Sequence, residues 1–221
     1  MVHLKEVSVA APRPLPVLVL ADASRSMSGG GKIEALNAAV DEMIRSFAEE
    51  DDVRARIEVA VIAFGGNEAR VHLPLTPAPA ARFMPLPAVG GTPLGAALDL
   101  AARLLEDRAI VPSRSYLSTV VLVSDGQPTD SWEAPLARLH DGTRAGRALR
   151  LAMGIGADAD LDVLRRFLRD PGIEPFCADE ARSIRRFFRW VTFSVTQRSR
   201  SAQPNERLLP PPDYGELLGD F

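Results

Sequence analysis

The sequence predicts an α/β protein: a mostly parallel central sheet with one antiparallel edge strand and helices on both faces. Three observations lead there. Strand-like and helix-like segments alternate along the chain, the pattern of βαβ units. The strand cores are nearly continuous aliphatic runs, as expected of strands covered on both sides. One pair, Arg56–Phe64 and Ala69–Leu75, is joined only by Gly65-Gly66-Asn67 and Glu68, a hairpin that adds a single antiparallel strand.

Taken in order, the strand-like runs are Val17–Ala21, Arg56–Phe64, Ala69–Leu75, Tyr116–Ser124, Ala148–Ile155 and the short Ile173–Cys177. In 31–48 the apolar residues Ile33, Leu36, Val40, Met43, Ile44 and Phe47 recur at helical spacing and form one face. Leu94–Leu105 follows a glycine-rich turn with the same periodicity, and 158–169 repeats it with Leu161, Leu164, Phe167 and Leu168. The last helix, Asp179–Gln197, carries two stripes. Ile184, Phe187, Phe188, Val191 and Val195 face a core, while Arg182, Arg185, Arg186 and Arg189 form a basic row read as a solvated face or a contact for an acidic partner. Thr76–Pro87, with four prolines, reads as an irregular loop. No internal repeat is visible.

The domain organisation expected is a lead-in over 1–14, one domain over 15–197, and a proline-rich extended or disordered tail over 198–221. The leucines and aromatic residues at the end of that tail suit either docking to a partner or packing against the chain's own surface. With 221 residues, 46% of them hydrophobic, the chain can bury a sizeable core as one domain. A net charge of −3 gives no general attraction to nucleic acid or anionic membrane, and no apolar run approaches the ~20 residues needed to cross a bilayer. The first residues lack a signal-peptide core. The single cysteine, Cys177, cannot form an internal disulfide and reads as a small buried hydrophobe. A cytoplasmic protein is therefore expected.

The chemistry lies in three turns. Residues 20–26, Leu-Ala-Asp-Ala-Ser-Arg-Ser, follow the first strand and offer one carboxylate, Asp22, and two hydroxyls, Ser24 and Ser26. Alone, such a D-x-S-x-S segment reads more readily as a helix N-cap than as a metal site. Val89-Gly-Gly-Thr-Pro-Leu-Gly95 sets the hydroxyl of Thr92 in a glycine-rich turn, and Thr119–Gly126 is a β-branched strand ending in Ser124-Asp125-Gly126. In an open parallel sheet the loops at the strand carboxyl ends gather at one edge, where ligands bind. Asp22 and Asp125 are expected to meet there, with Thr92 arriving from a neighbouring loop. Only hard oxygen donors are on offer, the ligand set of Mg2+, Mn2+ or Ca2+.

These motifs, in this order and spacing, resemble the von Willebrand factor A domain and its metal-ion-dependent adhesion site, from about Leu15 to Gln197. The resemblance implies a Rossmann-like fold and a site of Asp22, Ser24, Ser26, Thr92 and Asp125. It implies that Ser24 and Ser26 touch the cation directly, that Asp22 and Asp125 act largely through water and through hydrogen bonds to those hydroxyls, and that Thr92 switches between direct and bridged contact. Further segments narrow it: Met27-Ser-Gly-Gly-Gly-Lys-Ile-Glu-Ala-Leu-Asn37, Ser-Asp-Gly-Gln-Pro-Thr-Asp130, Gly-Ala-Asp-Ala-Asp-Leu-Asp-Val-Leu164 and Phe-Phe-Arg-Trp-Val191. Together with the Thr92 turn they look like TerY-type bacterial proteins associated with tellurite resistance and chemical stress. That likeness implies a regulatory module working beside a protein kinase and a protein phosphatase.

Enzymatic readings find less support. A phosphate loop ending at Lys32 would need Gly at position 26 and Ser or Thr at 33, where Ser26 and Ile33 stand. No G-x-S-x-G elbow occurs, and His3, His72 and His140 have no ligand or base spacing and read as surface or loop residues. A cation with no poised base or nucleophile suits binding better than turnover. The expectation is thus a non-enzymatic, metal-dependent protein-binding module, engaging an Asp or Glu of a partner through the cation. The competing expectation is a subunit of a metal-dependent enzyme or assembly factor. Arg25, Met27, Gly29–Gly31, Pro93, Gln127, Pro128 and Trp132 are expected to ring the metal edge as the partner surface.

Overall fold

The computed structural model describes residues 12–50, 54–157, 159–178 and 181–206. Six strands form one sheet: β1 (Arg13–Asp22), β2 (Ala55–Gly65), β3 (Glu68–Pro77), β4 (Thr119–Ser124), β5 (Leu149–Ile155) and β6 (Phe176–Ala178). Their spatial order is β3-β2-β1-β4-β5-β6, and every pairing is parallel except β2 with β3. Five helices cover the sheet: α1 (Lys32–Ala48), α2 (Leu94–Glu106), α3 (Glu133–Asp141), α4 (Leu161–Leu168) and α5 (Ala181–Arg200).

Alternation along the strands sorts side chains into two cores. Leu15, Val17, Val19 and Ala21 of β1, with Val121 and Val123 of β4, pack with α1 and α5. Leu18 and Leu20, with Val120 and Leu122, pack with α2, α3 and α4. Since side chains alternate with period two, β1 must be apolar at every position, and Leu15 to Ala21 are apolar except for Pro16. The strand begins four residues before the expected Val17, passing through Pro14 and Pro16. Both prolines are tolerated because β4 pairs with β1 only from Val17 onward. Tyr116 N donates to Pro14 O, so the missing N–H groups face a side on which no ladder has yet begun.

Several boundaries differ from expectation. β3 continues to Pro77, through what reads as loop, because an edge strand can spare ladder donors. α3 was not expected at all. Its nine residues carry only Leu136 and Leu139 as large buried aliphatics, and Arg138 ties it to Asp99 of α2 (2.9 Å). His140 lies in that helix, half-buried, with Nε2 3.2 Å from Phe167 O, and burial pushes its imidazole pKa down. It is therefore no loop residue. Cys177 is exposed, not buried, because three-residue β6 is the uncovered edge.

The C-terminal boundary moves as well. α5 runs to Arg200, beyond the expected end at 197, and Arg198, expected at the start of an extended tail, is a buried helical residue. Its guanidinium donates to Pro204 O, Thr119 Oγ1 and Leu117 O, and Asn205 Oδ1 accepts from Leu117 N. Residues 201–206 are thereby fastened to the start of β4. Burial lowers the Arg198 pKa to about 10. The expected lead-in up to residue 11, His3 and the tail beyond Glu206 lie outside the described residues.

Candidate metal centre

The order of connection reverses between β1 and β4, and both strands end there in an acid: Asp22 closes β1 and Asp125 follows β4 directly. An open α/β sheet leaves a crevice at such a switch point, beyond the strand carboxyl ends. Three loops line it. The first, after β1, holds Ser24 and a short 3-10 turn at Arg25–Ser28. The second, before α2, holds Thr92. The third follows β4.

Backbone hydrogen bonds weld the first two loops to the β2–β3 turn. Ala23 N donates to Phe64 O (2.8 Å), Val89 N to Ala23 O (2.7 Å), Gly66 N to Val89 O (2.6 Å), Gly91 N to Gly66 O (3.0 Å) and Arg25 N to Gly90 O (2.9 Å). This approach is closer than any side chain permits. A Cβ on Gly65 would stand 2.4 Å from Ala23 O, and one on Gly90 would stand 2.3 Å from Gly66 Cα. Gly90 also has φ +61°, in the left-handed region. The glycines of the Thr92 turn are thus required by contact between loops.

All five expected site residues come together. Ser24 Oγ lies 2.8 Å from Ser26 Oγ, and Ser26 Oγ donates to Asp125 Oδ1 at 2.6 Å. Asp22 accepts from Ser24 N through Oδ1 (2.8 Å) and from Ser124 Oγ through Oδ2 (2.6 Å). A Cβ placed on Gly126 would be 3.6 Å from both Ser26 Oγ and Thr92 Oγ1, so these two hydroxyls converge on the bare Gly126 backbone. Asp22, Ser24, Thr92 and Asp125 are buried and Ser26 is exposed, so the cluster opens to solvent on the Ser26 side. Burial holds the Asp22 carboxyl above its ordinary pKa of 3.8; hydrogen bonds from Ser124 and Ser24 oppose this, and the Asp125 charge adds to it.

This donor set fits a hard divalent cation. Among the described residues no group of three or more His, Cys, Asp or Glu is placed to hold a metal, so hydroxyls must supply much of the coordination. Neighbouring ligands of an octahedral Mg2+ stand about 2.9 Å apart at metal–oxygen distances of about 2.0–2.1 Å. The two serine oxygens, now hydrogen-bonded at 2.8 Å, are close enough to occupy one such edge. The Thr92 hydroxyl, in a residue only 5% exposed, has no protein hydrogen-bond partner among the described residues and is left with lone pairs to offer.

Four supporting residues were not assigned to the site from the sequence. Ser124 orients Asp22, as described. Lys32 Nζ meets Asp125 Oδ2 at 2.6 Å. Thr129 and Asp130 brace the second loop: Thr92 N donates to Thr129 Oγ1, Thr129 N to Thr92 O, and Asp130 accepts from Gly95 N and Ala96 N. A sequence signal for Asp130 exists in α2, whose N-cap is Pro93 and has no side-chain acceptor, so the cap must come from elsewhere. Replacing Asp130 with Ala is expected to cost about 1–2 kcal/mol in urea unfolding. It should also weaken divalent-ion binding, because Thr92 immediately precedes that helix start; unchanged stability would show that water caps α2 equally well.

The expected partner surface is partly corrected. Met27 is fully buried, Pro93 is buried, and Trp132 packs on the α2–α4 core with the Arg166 guanidinium 4.3 Å above its ring. Arg25, Gly29–Gly31 and Gln127 do face solvent. Beside them lies a groove of about 790 Å³, reaching from Ser26, Lys32 and Asp125 past Gln127 to Asp160 and Asp162. The β5–α4 loop thus forms a wall that the sequence did not assign to the site.

Fold and site together define a class: a Rossmann-like α/β domain whose switch point carries an oxygen-only cluster. The chain belongs to the von Willebrand factor type A domain family, whose sequence profile matches residues 17–127. No curated protein matches it. Solved structures of the same fold include the pilus adhesin SpaC of Lactobacillus rhamnosus GG, with TM-score 0.67 and 15% identity over 86% of this chain and 31% of that one. A von Willebrand factor type A protein from Catenulispora acidiphila matches with TM-score 0.62 and 23% identity over 83% and 42%. Proximal thread matrix protein 1 of the mussel byssus, solved with a zinc-occupied MIDAS motif, matches with TM-score 0.62 and 14% identity over 82% and 48%. The chain spans less than half the length of each of these three.

Proposed function

We propose that this chain is a metal-dependent protein-binding module in which Asp22, Ser24, Ser26, Thr92 and Asp125 hold one divalent cation, Mg2+ or its near equivalents Mn2+ and Ca2+. One observation carries this reading: three hydroxyls and two carboxylates from three loops converge at the sheet's switch point, beside an open groove. Ser24 and Ser26 would touch the ion. Asp22 and Asp125, each already engaged with Ser24 N or Ser26 Oγ, would orient those ligands and hold bound water. Few formal charges then contact the ion directly, so it stays electrophilic and accepts an Asp or Glu of the partner as a further ligand.

The metal-bound relative from mussel byssus and the pilus adhesin agree in kind with this reading, since one is solved with zinc in its MIDAS motif and the other is an adhesin. What supports the non-enzymatic reading is the donor set: its hydroxyls and carboxylates are hydrogen-bonded to one another, and the described residues that line the groove beside it include no His or Cys. Within the family we assign the chain to the TerY-like, stress-associated group on the segments quoted above. We infer that it works in the cytoplasm beside a kinase or phosphatase. Among the described residues no helix is long and apolar enough to cross a membrane. Titration calorimetry with Mg2+ and Mn2+ is expected to give saturable binding at millimolar concentration or below, and capture of a partner from the native host should be lost in EDTA. Absence of any heat would sink the metal site. Turnover of a generic phosphoester would favour the enzyme-subunit alternative.

A further inference from the structure

Lys32 occupies a position that helix formation alone does not explain. It is the first residue of α1, where the N-cap, Gly31, provides no side-chain acceptor and the helix dipole disfavours a cation. Its ammonium reaches instead across the end of β5 to the buried carboxylate of Asp125, at 2.6 Å. On the way it passes Gly156, whose φ is +82°: a Cβ there would stand 3.5 Å from Nζ, in ordinary contact. The Asp125 side chain is wholly buried and that of Lys32 is 26% exposed, so the pair closes the inner end of the groove.

We propose that Lys32 is a tethered counter-cation that competes with the divalent ion for Asp125 and makes ion occupancy depend on the partner's carboxylate. The inference rests on the metal-dependent reading above. At the cluster itself Asp22 and Asp125 carry two negative charges and Lys32 offsets one; farther along the groove Asp160 is engaged in capping α4 and Asp162 is paired with Arg165. A divalent ion then leaves the site with one net positive charge, which a single incoming carboxylate neutralises. Without Lys32 the two aspartates alone would balance the ion's charge, and a partner carboxylate would gain less by joining it. The lysine therefore weakens the ion when no partner is present and reserves one unit of positive charge for an acidic ligand arriving through the groove. Ion and partner carboxylate bind with positive coupling, each raising the affinity for the other.

The test compares the full chain with Lys32→Gln and Lys32→Arg in Mn2+ titrations followed by calorimetry and by the electron-paramagnetic signal of free Mn2+. Removing the competing charge in Lys32→Gln is expected to tighten Mn2+ binding about tenfold, while Lys32→Arg stays close to wild type. Exchanging chloride for acetate at constant ionic strength, corrected for acetate binding to free Mn2+, should tighten the wild type more than Lys32→Gln. Should Lys32→Gln misfold by circular dichroism, Lys32→Met replaces it, since the stem is half-buried. Equal Mn2+ affinity in wild type and Lys32→Gln, or weaker binding in the variant, overturns the counter-cation and leaves the metal site standing. The same gain in Lys32→Arg shows that charge is not the cause. No Mn2+ binding by any form overturns the metal reading and this inference together.

Discussion

Asp22→Asn is expected to melt at a higher temperature than the wild type in EDTA at neutral pH, while its affinity for Mg2+ or Mn2+ falls ~10–100-fold. The two effects have opposite signs because the buried acid serves the ion and not the fold. Burial holds the Asp22 carboxyl above 3.8 in the folded protein. A carboxyl with a raised folded pKa binds its proton more tightly in the native state. Its contribution to stability is therefore greatest at low pH and declines as pH rises from about 3.8 through the folded value. At neutral pH, without a cation, the ionised group works against the fold, and the neighbouring Asp125 charge adds to the strain. Asparagine removes the charge and keeps the shape. Its carbonyl can still accept from Ser24 N, and its amide can donate to Ser124 Oγ, which then turns its own proton elsewhere. Thermal melts in EDTA and in excess Mg2+ check both halves. A variant that unfolds at ordinary temperature would make Asp22 a structural acid.

Gly90→Ala should be among the most damaging single methyls in the described residues, on the order of 3 kcal/mol or more in urea unfolding, with divalent-ion binding lost. The added Cβ would fall 2.3 Å from Gly66 Cα and 2.9 Å from Gly66 N, both backbone atoms that cannot swing aside. Relief requires the Thr92 loop to leave the β2–β3 turn. That breaks the bond from Gly91 N to Gly66 O and shifts the one from Arg25 N to Gly90 O. Gly30→Ala is the control. Its φ is similar at +65°, but nothing lies within 4 Å of the added methyl. It should cost only ~1 kcal/mol for the left-handed backbone. Equal effects from the two variants would mean that backbone conformation, and not contact between loops, makes glycine necessary at position 90.

With the family resemblance supplying the full set of five oxygen donors, the sequence by itself determined the alternation of elements, the hairpin, the burial of the central strands and the two acids at the switch point. Each follows from local chemistry: period-two or period-3.6 hydrophobicity, turn residues, and acids placed where strands must end. Boundaries within a residue or two at α1, β2 and β5 were legible for the same reason. Other features depended on partners far along the chain. α3 has too few aliphatics to announce itself and is held by Asp99 and the α2–α4 core. Arg198 reads as one more surface cation until Leu117, Thr119 and Pro204 enclose it. Met27 looked available to a partner, yet packing within the domain claims it, and Trp132 is half-buried against the core beneath Arg166. The shell around the site was equally hidden: Lys32 is 93 residues from Asp125, and Asp130 lies 35 and 34 residues from the amides it caps. Hydrophobic pattern and turn chemistry are properties of short windows, so the chain displays them. Which charges meet, and which apolar side chains remain free, is decided only when distant segments close on one another and exclude water.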